Sequence, residues 1–131
     1  MDKKAPARNR PNPLPGCPMA AAFAAIGGKW KLTLLYWLAH GECHFAGLRR
    51  RGTPITAKVL AEQLRELEAD GLVERVVTGP VPARVLYRLT PYGTTLLPVV
   101  EGVRVWGEAH LRRTRSGTAP DPAMSCTDAV V

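Results

Sequence analysis

Between residues 56 and 89 the apolar pattern changes period once, and that change limits what the chain can fold into. Leu60, Leu64 and Leu67 recur at i, i+4 and i+7, the spacing of one buried stripe on a helix. Thr56 stands ahead of them as an N-cap, because its hydroxyl can accept an orphan backbone N–H, and Asp70-Gly71 ends the run. Lys58, Glu62, Arg65 and Glu66 fall off the stripe and are expected to face outward. From Val73 the period drops to two. Val73, Arg75 and Val77 alternate with Glu74 and Val76, and Val85, Tyr87 and Leu89 share one face of Arg84–Leu89. Gly79, Pro80 and Pro82 between the two runs make a loop, so a β-hairpin with an extended tip follows the helix directly. A short helix over Phe45–Arg50, closed by the break at Gly52-Thr53-Pro54, precedes it. Two helices joined by a tight turn and followed by a hairpin make a winged helix-turn-helix.

The flanks add helices. The stretch from Cys17 to Ile26 is Ala-rich, has Pro18 preset for a first turn, and ends at Gly27-Gly28. Lys29–Ala39 is apolar on more than one side and stops at Gly41, so both helices are expected to be largely buried. Thr90-Pro91 opens a last helix that runs to about Arg113, with a kink at Pro98 where one backbone hydrogen bond is lost. Beyond it, Val99, Val103, Trp106 and His110 form a stripe that Val100 and Leu111 widen. That is more apolar surface than a small domain needs, and a second chain is the expected cover. The fold class expected is α+β, mainly α: a winged helix-turn-helix with extra N- and C-terminal dimerisation helices.

Residues 1–16 form a basic, proline-rich tail and residues 114–131 carry no apolar period, so both read as flexible ends around one domain at 17–113. Roughly 100 foldable residues give a core of modest stability, for which association helps. Eighteen Lys+Arg against 11 Asp+Glu leave a net charge of +7, which favours a nucleic-acid partner. The chain shows neither an apolar run of about 18 residues nor the apolar core of a secretory signal, so a cytoplasmic protein without a membrane partner is expected. Three cysteines do not make a disulfide framework and are expected reduced. No nucleophile–base–orienter set or phosphate loop is visible, so neither an enzyme nor a cofactor is expected. His40, Cys43 and His44 lie close together in a loop without a matching distant pair, so no metal is expected. Glu66, Glu68 and Asp70, near Arg65 and Arg75, read as surface charges.

Several blocks in order resemble the HxlR-type family of bacterial transcriptional regulators, relatives of the MarR group. They are Cys17-Pro18, IGGKW (Ile26–Trp30), LRR (Leu48–Arg50), LAEQLRELEADGLVER (Leu60–Arg75), PARVLYRLTPYGTTLLPV (Pro82–Val99) and WGEAHL (Trp106–Leu111). The resemblance implies a homodimer, joined through the first and last helices, on a two-fold-related double-stranded DNA operator, with repression the expected sign. The leading turn, Thr56, Ala57 and Lys58, is then expected in the major groove, with Glu62 and Gln63 a turn further on. Arg49 and Arg50, beside Arg51, are expected on phosphates. Arg84, where the family has a wing arginine, is expected in an A·T-rich minor groove. Three positions depart from the family pattern: His44 replaces a basic residue, Ala46-Gly47 a polar pair, and Leu86 an acidic residue.

Cys17 falls at the start of the first helix, where the positive end of the helix favours a thiolate. Family members that sense oxidants, quinones or aldehydes use a cysteine there, so Cys17 is the redox-sensing candidate, with Cys43 and Cys126 as resolving partners. Two other readings stay open. A dimer-interface pocket lined by Trp30, Tyr36, Trp37 and Trp106 can hold an aromatic effector. A winged helix can also serve as a protein-interaction module that binds duplex DNA no better than a generic polycation does.

Overall fold

The computed structural model describes residues 14–52, 54–80 and 84–115. Residues 1–13 and 116–131 of the expected tails, with Cys126, as well as Thr53 of the expected break and residues 81–83 of the hairpin tip, lie outside the described residues. The elements are α1 (Pro18–Ile26), α2 (Lys31–Leu38), β1 (Cys43–His44), α3 (Phe45–Arg51), α4 (Ala57–Ala69), β2 (Val73–Thr78), β3 (Arg84–Leu89), α5 (Pro91–Thr94) and α6 (Leu97–Thr114). The three strands form an antiparallel sheet in the order β1-β3-β2, with Val73 opposite Leu89 and Thr78 opposite Arg84. This is a winged helix-turn-helix, with α3 and α4 as the helix pair and β2–β3 as the wing.

Leu34, Leu48, Leu60, Leu64 and Leu67 are fully buried and form the centre of the core, where α2 packs against α4, α6 and β3. Both ends of α4 are closed. The Thr56 hydroxyl accepts from the Val59 N–H at 3.1 Å. At the other end Leu72 N–H donates to Leu67 O (3.0 Å) and Gly71 N–H to Glu68 O (2.9 Å), a Schellman motif. Gly71 takes φ +77° there, the left-handed conformation that glycine adopts without a Cβ clash.

The chain leaving β3 locks onto that turn. Thr90 donates its N–H to Leu72 O (3.1 Å) and its hydroxyl to Gly71 O (2.5 Å), while accepting from Gly93 N–H (2.8 Å). A Cβ on Gly93 would sit 2.1 Å from Leu72 O, so only glycine permits this approach.

Four sequence expectations need correction. First, α1 is not buried: of its residues only Ile26 is, while Met19 and Phe23 are 76% and 72% exposed. Second, the last helix is not one kinked rod but two helices, α5 and α6, separated at Thr95–Leu96. In a continuous helix the Pro98 ring would clash with the Thr94 carbonyl. The chain stops at Thr94 instead, and Pro98 occupies the first turn of α6, where no N–H is needed. Third, residues 43–44 are a strand, with Cys43 opposite Tyr87. Fourth, Glu66 does not face outward. Its Oε1 lies 2.6 Å from Lys31 Nζ, with the two side chains 10% and 1% exposed. A buried carboxylate needs a paired cation, and α2 supplies it.

Candidate nucleic-acid interface

The turn from α3 to α4 gathers several of the residues expected to meet DNA. Arg49 and Arg50 leave the last turn of α3 exposed, and the negative end of that short helix favours their charge. Thr56, Ala57 and Lys58 are exposed where α4 begins, and the first turn of α4 holds no acidic residue. Arg49, Arg50 and Thr56, with Phe45, Ala46 and Ile55, line one open cavity of about 500 Å³. Two guanidinium groups and a positively polarised helix start thus converge on one concave surface, an arrangement suited to an anion.

Other candidates lie further away. Glu62 and Gln63, a turn along α4, are half-buried, and Arg84 is exposed at the start of β3. Arg51 is not part of the arginine group. It is half-buried, and its guanidinium donates to Cys43 Sγ at 3.7 Å. Arg88 is also committed elsewhere, bonding Glu74 through Nε at 2.7 Å and Glu42 at 3.3 Å.

Cys17 is the N-cap of α1, half-buried and outside any disulfide, and its thiol makes no capping bond. Cys43 is half-buried on β1 and free. Burial pushes its thiol above the ordinary value, against a smaller opposing pull from Arg51. His40 gives its Nδ1 proton to the Tyr36 carbonyl at 3.0 Å.

The four aromatic side chains considered for an effector pocket have separate surroundings. Trp37 belongs to the core, Tyr36 meets His40 edge-on at 5.0 Å, Lys29 lies over Trp30 at 5.8 Å, and Trp106 stacks on His110 at 4.8 Å. Trp106 is 66% exposed, and Val99, Val103 and Leu111 of α6 are exposed as well; Val100 is the one α6 residue that is buried.

The residue pair that sequence reasoning missed is Lys31–Glu66, which ties α2 to the back of the second helix of the pair. A signal for it existed: Lys31 opens KLTLLYWL, a helix apolar on nearly every side. A lysine there is forced inward and requires a counter-charge.

Residues 25–115 match the HxlR-like helix-turn-helix family. The chain belongs to that family. It is 46% identical over 95 residues to the HTH-type transcriptional regulator YybR of Bacillus subtilis (strain 168), covering 72% of this chain and 76% of that one. YodB, an HTH-type transcriptional regulator of the same organism, is 36% identical over 93 residues, covering 70% and 83% of the two chains. Among solved structures, the redox regulator HypR in its reduced form is similar with TM-score 0.72 at 43% identity, covering 76% of this chain and 99% of that chain. Reduced YodB is similar with TM-score 0.63 at 31% identity, covering 80% and 98%. Membership of the HxlR-like family makes the chain a transcriptional regulator of the helix-turn-helix type, and makes DNA the partner the family implies. Among the described residues no helix is long and apolar enough to cross a membrane.

Proposed function

We propose that this chain is a sequence-specific DNA-binding repressor acting as a homodimer, with residues 17–113 as one DNA-binding and dimerisation domain. One observation carries the reading: Arg49, Arg50 and Thr56 surround a single open cavity beside the exposed first turn of α4. A backbone phosphate occupies that cavity, which fixes register, while Ala57 and Lys58 reach base edges in the major groove, with Glu62 and Gln63 behind them. Arg84 extends the footprint to the adjacent minor groove. The uncovered faces of α1 and α6 meet their two-fold copies. Binding falls steeply with salt, because each cation on a phosphate releases counterions.

The regulatory input proposed is chemical modification of Cys17. An electrophilic quinone adds to its thiolate, or diamide oxidises it to a disulfide with a second thiol. Either change at the start of α1 alters the angle between the two recognition helices and releases DNA. Support comes from similarity to a protein named as a redox regulator and to YodB, solved after diamide treatment. Cys43 is the poorer first nucleophile, since burial keeps its thiol protonated.

The test is fluorescence anisotropy of the reduced protein on DNA upstream of its own gene, against scrambled DNA at matched salt. Binding at least about a hundredfold tighter to the upstream DNA is expected. Equal binding to both, tried also on genomic fragments, turns the reading toward a protein-interaction module. Arg84→Ala is expected to lose most on A·T-rich flanks; equal loss everywhere makes it a plain phosphate contact. If Cys17→Ser still releases DNA under diamide or a quinone, the sensing step is wrong.

A further inference from the structure

The leucine stripe of α4 decides which of its residues look away from the protein. At about 100° of rotation per residue, Lys58, Glu62, Arg65 and Ala69 fall within an arc of about 60° on the side away from Leu60, Leu64 and Leu67. Lys58, Arg65 and Ala69 are exposed, and Glu62 is half-buried. Gln63 takes a different direction. By the same rotation it falls between Glu66 and the leucine stripe, and the Glu66 carboxylate is sealed against Lys31 of α2. Gln63 therefore stands at the edge of the seam between α2 and α4, whereas Arg65 stands on the open face.

The Arg65 guanidinium is also uncommitted. On α6, Arg104 bonds Glu101, three residues before it, at 2.7 Å and Glu108, four residues after it, at 3.3 Å. On the wing, Arg88 is paired with Glu74 and Glu42. Arg65 has Glu62 at the same spacing of three, yet neither side chain makes an ion pair or a hydrogen bond among the described residues. The open face of α4 thus presents Lys58, a carboxylate and Arg65 in line. A row of phosphates would repel that carboxylate. The floor of a major groove suits all three, because guanine shows two acceptors there and cytosine an N–H donor.

We infer that Arg65 is a base-reading residue of α4, donating two parallel hydrogen bonds to the O6 and N7 of a guanine, with Glu62 accepting from a cytosine N4–H beside it. Gln63 packs behind the face and reads no base. Lys58 and Arg65 are seven residues apart, about 10 Å of helix and about three base-pair steps. The site that α4 selects therefore includes a G·C pair beyond the reach of its first turn. Lysine is no substitute at this position, since an ammonium offers a point charge and not a planar fork. The role of Arg65 rests on the DNA-binding reading above, and the experiment separates the two.

The full-length reduced protein is used to select duplexes from a random double-stranded DNA library, and anisotropy is then measured on the selected duplex and on a scrambled one. Arg65→Ala and Arg65→Lys should each weaken the selected duplex at least about tenfold and the scrambled one no more than about threefold, with the slope of affinity against salt unchanged for Arg65→Lys. Gln63→Ala should stay within about twofold of the wild type on both, as expected of a side chain that touches no base. Selection repeated with Arg65→Ala should lose the guanine at one position of each half-site. Thermal melting of each variant checks that the fold is kept. Wild-type affinity in Arg65→Lys, a guanine still selected by Arg65→Ala, or a loss in Gln63→Ala as large as that in Arg65→Ala overturns the assignment of Arg65 alone. A wild type that enriches no sequence overturns the DNA-binding reading and this role with it.

Discussion

Helices α4 and α6 both carry an apolar stripe at helical spacing, yet only α4 completes its packing within one chain. Leu60, Leu64 and Leu67 are sealed in the core, and Glu66 on the flank has its own buried cation. In α6 only Val100 is buried, and Val99, Val103, Trp106 and Leu111 stay exposed, as do Met19 and Phe23 on α1. Periodicity reports that a face is apolar. It does not report whether the cover comes from the same chain. The part of the molecule that positions α4 is self-sufficient, and the part that carries α1 and α6 leaves its apolar faces open.

The contrast can be broken by substitution. The largest effect is expected from Lys31→Met, which leaves the Glu66 carboxylate buried and unpaired, at about 3–5 kcal/mol. The double variant Lys31→Met/Glu66→Leu should recover most of that loss in urea unfolding at fixed protein concentration. Recovery of none would mean the pair is not the source. Next comes Leu64→Ala, expected to cost about 2–5 kcal/mol through a cavity that the surrounding leucines cannot fill. Thr56→Ala removes an N-cap and should cost about 1 kcal/mol of stability, together with a measurable loss of DNA affinity in anisotropy. Phe23→Ser with Trp106→Ser should shift the unfolding free energy of the monomeric chain least, within about 0.5 kcal/mol. Sedimentation equilibrium should nevertheless show dimers giving way to monomers. A large loss of monomer stability from that pair, or dimers that persist, would erase the distinction between the two regions.

The winged helix-turn-helix was legible because its signals are local. A cap at Thr56, a stripe at Leu60, Leu64 and Leu67, a glycine stop at Gly71 and a switch to alternation at Val73 each reflect backbone geometry over a few residues. What was missed depends on contacts distant in sequence. Strand β1 has only two residues, too few to show a period, and exists because β3 offers it hydrogen bonds. Glu66 reads as a surface charge until Lys31, remote in the chain, is placed against it. The openness of α1 was hidden for a related reason. PMAAAFAAI is apolar enough to be buried, but the core it was expected to enter is already filled by α2 and α4. Of the candidate interface, the residue types and their order were readable. That Arg49, Arg50 and Thr56 surround one cavity while Arg51 turns to Cys43 was not, because it depends on the angle at which α3 meets α4.

The joint at Thr90 and Gly93 has a mechanical consequence. Hydrogen bonds to the Gly71 and Leu72 carbonyls, and a backbone approach with no room for a Cβ, fasten α5 to the trailing end of α4. Helix α4 and α5 are therefore directly coupled, and a displacement of one loads the other. Beyond them the chain passes to α6 through Thr95–Leu96, where Leu96 N–H donates to Gly93 O at 3.0 Å and Leu96 O accepts from Val100 N–H at 2.9 Å, while the Leu96 side chain packs against the core. A load on α6 thus reaches α4 by two routes, through this joint and through α2, which packs against both helices.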